Sequence, residues 1–323
     1  MRAIVMTRVG GPEVLELREV PSPMPKPDEV LVEIHARGVN FADTETRRAR
    51  YRTPPLPWIL GSEGAGVVVQ TGAEVDPAWR GRRVAFYAPP PATSGTYAEL
   101  ATCPVMALMP LPDAVDMTTA AALPAQGLTA HLLVHRAARI QSGQVVMIHA
   151  AAGGVGLLVV QMARRLGARV LGTVSSDDKA AAVRDAGGEP LRHGDDLVDR
   201  VRALTGGHGA DVVLDSIGLP TQAASMAMLA PFGELVHFGD AGGFPDSVNP
   251  DDLYSRSIKI SAFGLDERHD PVAAARARRE LIAWAADGSL RLRISLVLPL
   301  AEAAQAHRLI ESRGTVGKLV LTS

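Results

Sequence analysis

The first hundred residues carry short, largely apolar runs divided by turns, the pattern of strands. Residues 3–6, 14–17 and 29–36 read this way, the last with Val30, Val32 and Ile34 alternating against other positions. The stretch PSPMPKP, residues 21–27, cannot continue a ladder and predicts an extended connector. A second turn cluster over residues 89–95 precedes residues 97–100. After Pro112 the texture changes. Residues 116–122 and 130–138 are helical in composition, and from Val145 buried apolar runs alternate with helical segments. Strands are predicted at 145–149, 170–173, 212–215, 234–238 and 258–263, and helices at 155–166, 178–186, 197–204 and 222–229. This βαβ order predicts an α/β fold with a doubly wound parallel sheet. A helix over 271–286, alternating Leu292, Ile294, Leu296 and Leu298, a helix over 301–312 and a strand over 318–321 follow, with no internal repeat.

A chain of 323 residues fits two domains better than one. With 47% hydrophobic residues and a net charge of -2, the composition is that of a soluble globular enzyme; no basic face and few aromatic residues argue against a nucleic-acid module. The positive charge is almost all Arg, with only Lys26, Lys179, Lys259 and Lys318 as lysines, and is read mainly as a codon bias. The uncharged stretch 140–163 is long enough to cross a bilayer. However, Gly153, Gly154 and Gly156 interrupt it, so a strand, tight loop and helix describe it better. The start of the chain lacks a secretory pattern, and a cytoplasmic location is the default expectation. Cys103 is the only cysteine, which excludes an intrachain disulfide and a Cys-based metal cluster. His131 and His135, four apart, lack a neighbouring third ligand and read as ordinary helix residues, so no metal is expected.

Candidate chemistry begins at His149-Ala150-Ala151-Ala152-Gly153-Gly154-Val155-Gly156, which ends an apolar strand and opens an apolar helix. A dinucleotide-binding turn requires this setting: Gly153 lets the backbone approach a pyrophosphate, Gly156 lets helix pack on strand, and the helix N-terminus offers N–H groups to phosphate. Ala151 stands where the commonest fingerprint has its first Gly. At the tip of the next strand an NAD enzyme carries an acidic residue for the ribose hydroxyls. Ser175 occupies that region here, with Ser176, Lys179 and, after a further strand, Arg192, all able to donate to a 2′-phosphate. NADPH is therefore the expected cofactor, with Asp177 and Asp178 suiting a helix N-cap and first turn.

Several motifs resemble the zinc-free quinone oxidoreductase and enoyl reductase branch of the medium-chain dehydrogenase/reductase family over essentially the whole chain. Gly61-Ser62-Glu63-Gly64-Ala65-Gly66, followed by Gly72 and Val75, is similar to the family's GHExxGxxxxxGxxV signature, with Ser62 in place of the zinc-binding His. Gly81-Arg82-Arg83-Val84 resembles its GDRV turn, Leu123-Pro124 with Gly127-Leu128-Thr129-Ala130 its interdomain helix, and Asp215-Ser216-Ile217-Gly218 its DxVG strand end. Gly38-Val39-Asn40-Phe41-Ala42-Asp43-Thr44 resembles the zinc-free form of a segment that carries a Cys ligand in alcohol dehydrogenases.

The resemblance implies a β-rich GroES-like catalytic domain of residues 1–122 and 264–323, an NADP-binding Rossmann domain of residues 123–263, and substrate in the cleft between them. It also implies a homodimer paired through the sheet edge near residues 258–263. Asn40 and Asp43 would line the nicotinamide pocket, Thr129 would contact the nicotinamide end, and Ile217, Phe238-Gly239-Asp240 and Gly317-Lys318 would close around the cofactor. Tyr51 is a candidate proton donor. Structural roles remain open beside these: Asn40 as a turn cap, Asp43 as a helix cap, and Thr129 bonded to its own helix. Without a metal to polarise a simple ketone, the fitted reaction is hydride addition to a conjugated C=C or a quinone. Quinone reduction proper, or cofactor binding without turnover, is the alternative; Glu45 where many such reductases have Tyr, and Ala262-Phe263 where they have Arg-Pro, depart from the quinone reductase pattern. The run Arg47-Arg48-Ala49-Arg50-Tyr51-Arg52 reads either as a solvated loop or as a phosphate-binding patch for an enoyl-CoA thioester.

Overall fold

The computed structural model describes residues 1–50, 55–89 and 91–323. The chain divides into two compact units, Met1–Gln126 with Arg278–Ser323, and Gly127–Ala277. The boundaries inferred from sequence fall four residues earlier at the first crossing, at 122/123, and at 263/264 for the second.

The first unit opens with β1 (Arg2–Met6), β2 (Glu16–Glu19), β3 (Glu29–Val39), helix α1 (Phe41–Arg47) and β4 (Trp58–Ile59). There follow β5 (Glu63–Thr71), β6 (Arg83–Tyr87), β7 (Leu100–Pro104), β8 (Leu108–Pro110) and α2 (Met117–Ala122). The alternation in β3 buries Val30, Val32 and Ile34 completely or nearly so, and β3 pairs antiparallel with both β5 and β7. Gly66 permits the close approach of β5, since a Cβ there would lie 1.8 Å from the Glu33 carbonyl oxygen. The expected strand over 14–17 is displaced: Pro12 starts a 3-10 turn, Pro12–Val14, and the strand forms at Glu16–Glu19 as the edge of the small sheet β2-β1-β4.

The second unit begins inside α3 (Pro124–Leu132), which continues into a π-helical turn, Leu133–Ala137, so the helix expected over 130–138 starts earlier, with Pro124 as its first residue. Strands β9 (Val145–Ile148), β10 (Arg169–Val174), β11 (Glu189–Arg192), β12 (Ala210–Asp215), β13 (Leu229–His237) and β14 (Lys259–Ala262) form one parallel sheet in the order β11-β10-β9-β12-β13-β14. Helices α4 (Gly154–Arg165), α5 (Asp177–Asp185), α6 (Leu197–Leu204), α7 (Leu219–Ala227), α8 (Asp251–Tyr254) and α9 (Pro271–Ala286) accompany it. The uncharged stretch thus becomes β9, a turn and α4, whose Leu157, Leu158, Val159, Val160 and Met162 are buried. Helix α7 begins three residues before the predicted 222, because Gly218 in the left-handed region ends the preceding turn and Pro220 suits a first helical turn. The further strand placed ahead of Arg192 is β11, and Arg192 is its last residue rather than a residue beyond it; the single deeply buried residue of β11 is Leu191, and its Pro190 is tolerated at a sheet edge. Chain order reverses between β10 and β12 on either side of β9, which puts the ligand crevice of such sheets at the C-terminal ends of β9 and β12.

Within α9 the chain re-enters the first unit, adding β15 (Ile294–Pro299), α10 (Ala303–Glu311) and β16 (Lys318–Thr322). The larger sheet then runs β15-β16-β3-β5-β6-β8, with β7 also on β3. Tyr97, Met6, Leu60 and Leu319 pack with Ala303 and Ala306 of α10 in one buried cluster. Among the described residues no helix is long and apolar enough to cross a membrane.

Candidate active site

Asn40 follows β3 and caps α1, and its backbone N–H donates to Asp43 Oδ2 at 2.9 Å. The capping roles foreseen for this segment are therefore real, and the side chains do more. Lys318, at the start of β16 beside β3, donates to Asn40 Oδ1 at 2.6 Å and to Glu63 Oε1 at 2.5 Å. Asn40 Nδ2 donates to the same Glu63 oxygen at 2.8 Å, and Glu63 Oε2 accepts from the Ala125 N–H at 2.7 Å. Because an ammonium only donates and a carboxylate only accepts, these contacts fix which end of the Asn40 amide is oxygen. They use one of its two amide hydrogens and two of the three Lys318 ammonium hydrogens. Gly38 makes room for the arrangement: a Cβ there would lie 2.2 Å from Glu63 Oε1 and 2.8 Å from Lys318 Cε. Gly317 is in the left-handed region, with Arg293 O only 2.0 Å from where its Cβ would be.

Asp43 is buried, and its Oδ2 also accepts from the Tyr97 hydroxyl at 3.2 Å. Burial raises its carboxyl to about 6, against the Asn40 N–H and Lys318, which favour the charged form. Tyr97 touches His307 Nε2 at 3.1 Å, and His307 Nδ1 lies 3.1 Å from Arg47 Nη1. Arg47 is completely buried; it also donates to Gly10 O at 3.0 Å and pairs with Glu311. This corrects the reading of the arginine run as one exposed patch. Arg48 pairs with Glu45 and Glu311, and Arg50 with Glu45, so local carboxylates neutralise the described part of the run. Tyr51 and Arg52 lie outside the described residues. Nothing local in the sequence marks Tyr97 or His307; Glu63 lies in the glycine motif beside Ser62, which is the only signal for it.

The second unit carries the glycine turn between β9 and α4, Gly153 being the cap of α4 with Gly154 and Val155 in its first turn. A Cβ on Gly156 would lie 2.6 Å from Ala151 O, so the helix can meet the turn only at glycine. A Cβ on Gly172 would lie 2.4 Å from the Ala151 methyl, so the missing side chain in β10 makes room for Ala in place of the fingerprint's first Gly. This is a cradle a dinucleotide pyrophosphate fits. At the tip of β10, Lys179 Nζ donates to Ser175 Oγ at 3.0 Å, and Ser176 caps α5 by accepting the Lys179 N–H. Arg192, paired with Val174 across β10 and β11, holds Asp177 at 2.5 Å. The four donors expected to read a 2′-phosphate are thus brought together, with Asp177 occupying one of them. Thr129 is half-buried in α3.

The loops after β12 and β13 meet. Phe238 N donates to Asp215 O at 2.8 Å, Ala241 N to Ser216 O at 3.1 Å and Gly242 N to Ile217 O at 2.7 Å, which places Ile217 with Phe238, Gly239 and Asp240. Beneath them Asp215 takes the N–H groups of Ile217 and Gly218 on one oxygen and the hydroxyls of Thr221 and Ser225 on the other. Because Ser225 donates to Asp215, it accepts from His149 Nε2 at 2.9 Å, and burial keeps that imidazole neutral. Ser, His and Asp are thus wired as a strut: the serine proton points at the carboxylate, away from a base.

Among the described residues no three His, Cys, Asp or Glu side chains cluster as a metal site. The family description "Alcohol dehydrogenase GroES-like domain" matches residues 26–113, and "Zinc-binding dehydrogenase" residues 191–321. The chain is 39% identical to a quinone oxidoreductase of Pseudomonas aeruginosa, covering 99% of each sequence. It is 34% identical to a 2-haloacrylate reductase of a Burkholderia species, covering 99% of this chain and 98% of that one. The structure of Escherichia coli quinone oxidoreductase complexed with NADPH matches with a TM-score of 0.92 at 32% identity, covering 100% of both chains. With Ser62 in the zinc ligand's place, the chain belongs to the zinc-free quinone oxidoreductase branch of the medium-chain dehydrogenase/reductase family, a branch of NADP-dependent oxidoreductases.

Proposed function

We propose that the chain reduces a conjugated acceptor, a quinone or an α,β-unsaturated carbonyl, using NADPH and no metal. One observation carries this reading: Asn40 and Lys318 are held together by Glu63, each with one N–H left beyond the bonds described. Two donors, one of them cationic, suit an oxyanion that develops at the far end of a conjugated system. When bound, NADPH supplies the hydride. Gly153, Gly154 and Gly156 would take its pyrophosphate, and Ser175, Ser176, Lys179 and Arg192 its 2′-phosphate. Ile217, Phe238, Gly239 and Asp240 would line the nicotinamide end, with Thr129 proposed there by family resemblance. In the first unit Asn40 and Lys318 orient and stabilise the acceptor oxygen, and Asp43 keeps Asn40 in place. Tyr51 or water is proposed to complete the reaction by protonating carbon when the acceptor is an enone.

The relatives named quinone oxidoreductase and 2-haloacrylate reductase both act, by their names, on conjugated compounds, which supports this class. Preference for an enoyl-CoA thioester finds no support in the arginine run, whose Arg47 is inside the protein and whose Arg48 and Arg50 are paired. Strand β14, a free edge of its sheet among the described strands, is the proposed pairing edge of a homodimer. The test is NADPH oxidation with a panel of quinones, short enones and enoyl thioesters, with and without a chelator. Turnover of quinones or enones that survives chelation is expected, with no advantage of CoA over a phosphate-free thiol. NADPH binding without turnover of any acceptor would leave a binding protein.

A further inference from the structure

The hydrogen bonds that end on Asp43 have one possible direction. A guanidinium donates and never accepts. Arg47 Nη1 therefore makes His307 Nδ1 the acceptor and leaves the imidazole proton on Nε2. Nε2 then donates to the Tyr97 oxygen, and the Tyr97 hydroxyl donates to Asp43 Oδ2. Burial together with Arg47 and Arg48 holds His307 down to about 3, so its ring is neutral, as this order requires. All four side chains are buried, and Glu311 and Gly10 O anchor the far side of Arg47. Such a chain ends blindly at the guanidinium and cannot carry a proton through from solvent. Its one outlet is the carboxylate that also receives the Asn40 N–H.

Resting on the function proposed above, we infer that Tyr97 and His307 are positioning residues that keep Asp43 an ionised acceptor and thereby hold the Asn40 amide toward the reacting oxygen. Neither touches the acceptor in this scheme. The other charged groups that bear on Asp43 are Lys318 from β16, which favours its ionised form, and Glu63 from β5, which opposes it. With burial already raising Asp43 to about 6, loss of the Tyr97 donor leaves the carboxylate one stabilising bond fewer. It then protonates at higher pH, and the Asn40 turn loosens over the same range.

The experiment follows the Asp43 carboxyl by carbon NMR in the cofactor-free protein. It is paired with the pH profile of kcat/KM for NADPH-dependent quinone reduction, in wild type, Tyr97→Phe and His307→Gln. In Tyr97→Phe the Asp43 titration is expected to rise by about one pH unit, the effect of one neutral hydrogen bond, and the acid limb of kcat/KM to rise with it. His307→Gln, which retains a donor and an acceptor, is expected to move both less. An Asp43 titration unchanged by Tyr97→Phe, or one that moves while the acid limb stays, overturns the positioning role. Absence of turnover with every acceptor overturns the proposed function and this role with it, whereas an unmoved titration in an active enzyme overturns this role alone.

Discussion

Lys318 Nζ lies 2.5 Å from Glu63 Oε1, although 255 residues separate the two. Both side chains are almost fully excluded from water, the ammonium 5% and the carboxylate 0% exposed. A buried pair of this kind contributes little beyond what apolar residues would, but removing one partner leaves the other charge stranded. Glu63→Gln is accordingly expected to destabilise the protein by about 3–5 kcal/mol, and adding Lys318→Met to recover part of the loss. Denaturant unfolding of the two single variants and the double variant checks this. Additive losses would show that the pair is not coupled.

Stability in acid is expected to separate the two titratable residues at either side of Tyr97. His307 is depressed from an ordinary 6.5 to about 3, so the unfolded chain takes up its proton first and stability falls as pH drops below 6.5. Asp43 is raised from 3.8 to about 6, so here the native state takes up the proton first and stability rises as pH drops from 6 to 3.8. Each slope is about 1.4 kcal/mol per pH unit, and between pH 6 and 4 they oppose one another. Asp43→Asn should therefore lose stability faster than wild type over that window, and His307→Gln more slowly. Unfolding midpoints measured along the pH series give the answer; parallel curves for all three proteins would refute the assignment.

Cofactor choice is expected to respond to Asp177. Its carboxylate holds Arg192 at 2.5 Å and so competes with a 2′-phosphate for the guanidinium. Asp177→Asn should raise the preference for NADPH over NADH, and Lys179→Ala with Arg192→Ala should lower it by about ten- to hundredfold, the effect of one charge-assisted bond. Dissociation constants for both nucleotides measure this directly. Equal affinity for both in wild type would mean that the β10 tip does not read the phosphate.

The parts of the molecule legible in the sequence are those whose causes are local. The alternation of β3 and the glycines of the β9–α4 turn are fixed by neighbours a few residues away. Even the irregular Ala151 has its explanation one strand later, in Gly172. The Asn40 and Asp43 segment was found through its resemblance to a family motif. Tyr97 and His307 were not found, because their contacts with each other and with Arg47 cross 210 and 260 residues. For the same reason Arg47 looked like surface: the charges that allow its burial come from α10, at the other end of the chain. The bounds of β11 are not legible, because an edge strand with one buried side chain has no alternation to show, and Arg192 falls inside the strand rather than after it.

The central claim is hydride delivery from NADPH to a conjugated acceptor steadied by Asn40 and Lys318, and it is tested most directly with NADPH carrying deuterium at the nicotinamide C4. The label should appear in the reduced enone, at the carbon β to the carbonyl, and Asn40→Ala should slow its transfer by about a hundredfold, the scale of losing one oxyanion donor. NADPH consumed without label in the product, or transfer unaffected by Asn40→Ala, would contradict it.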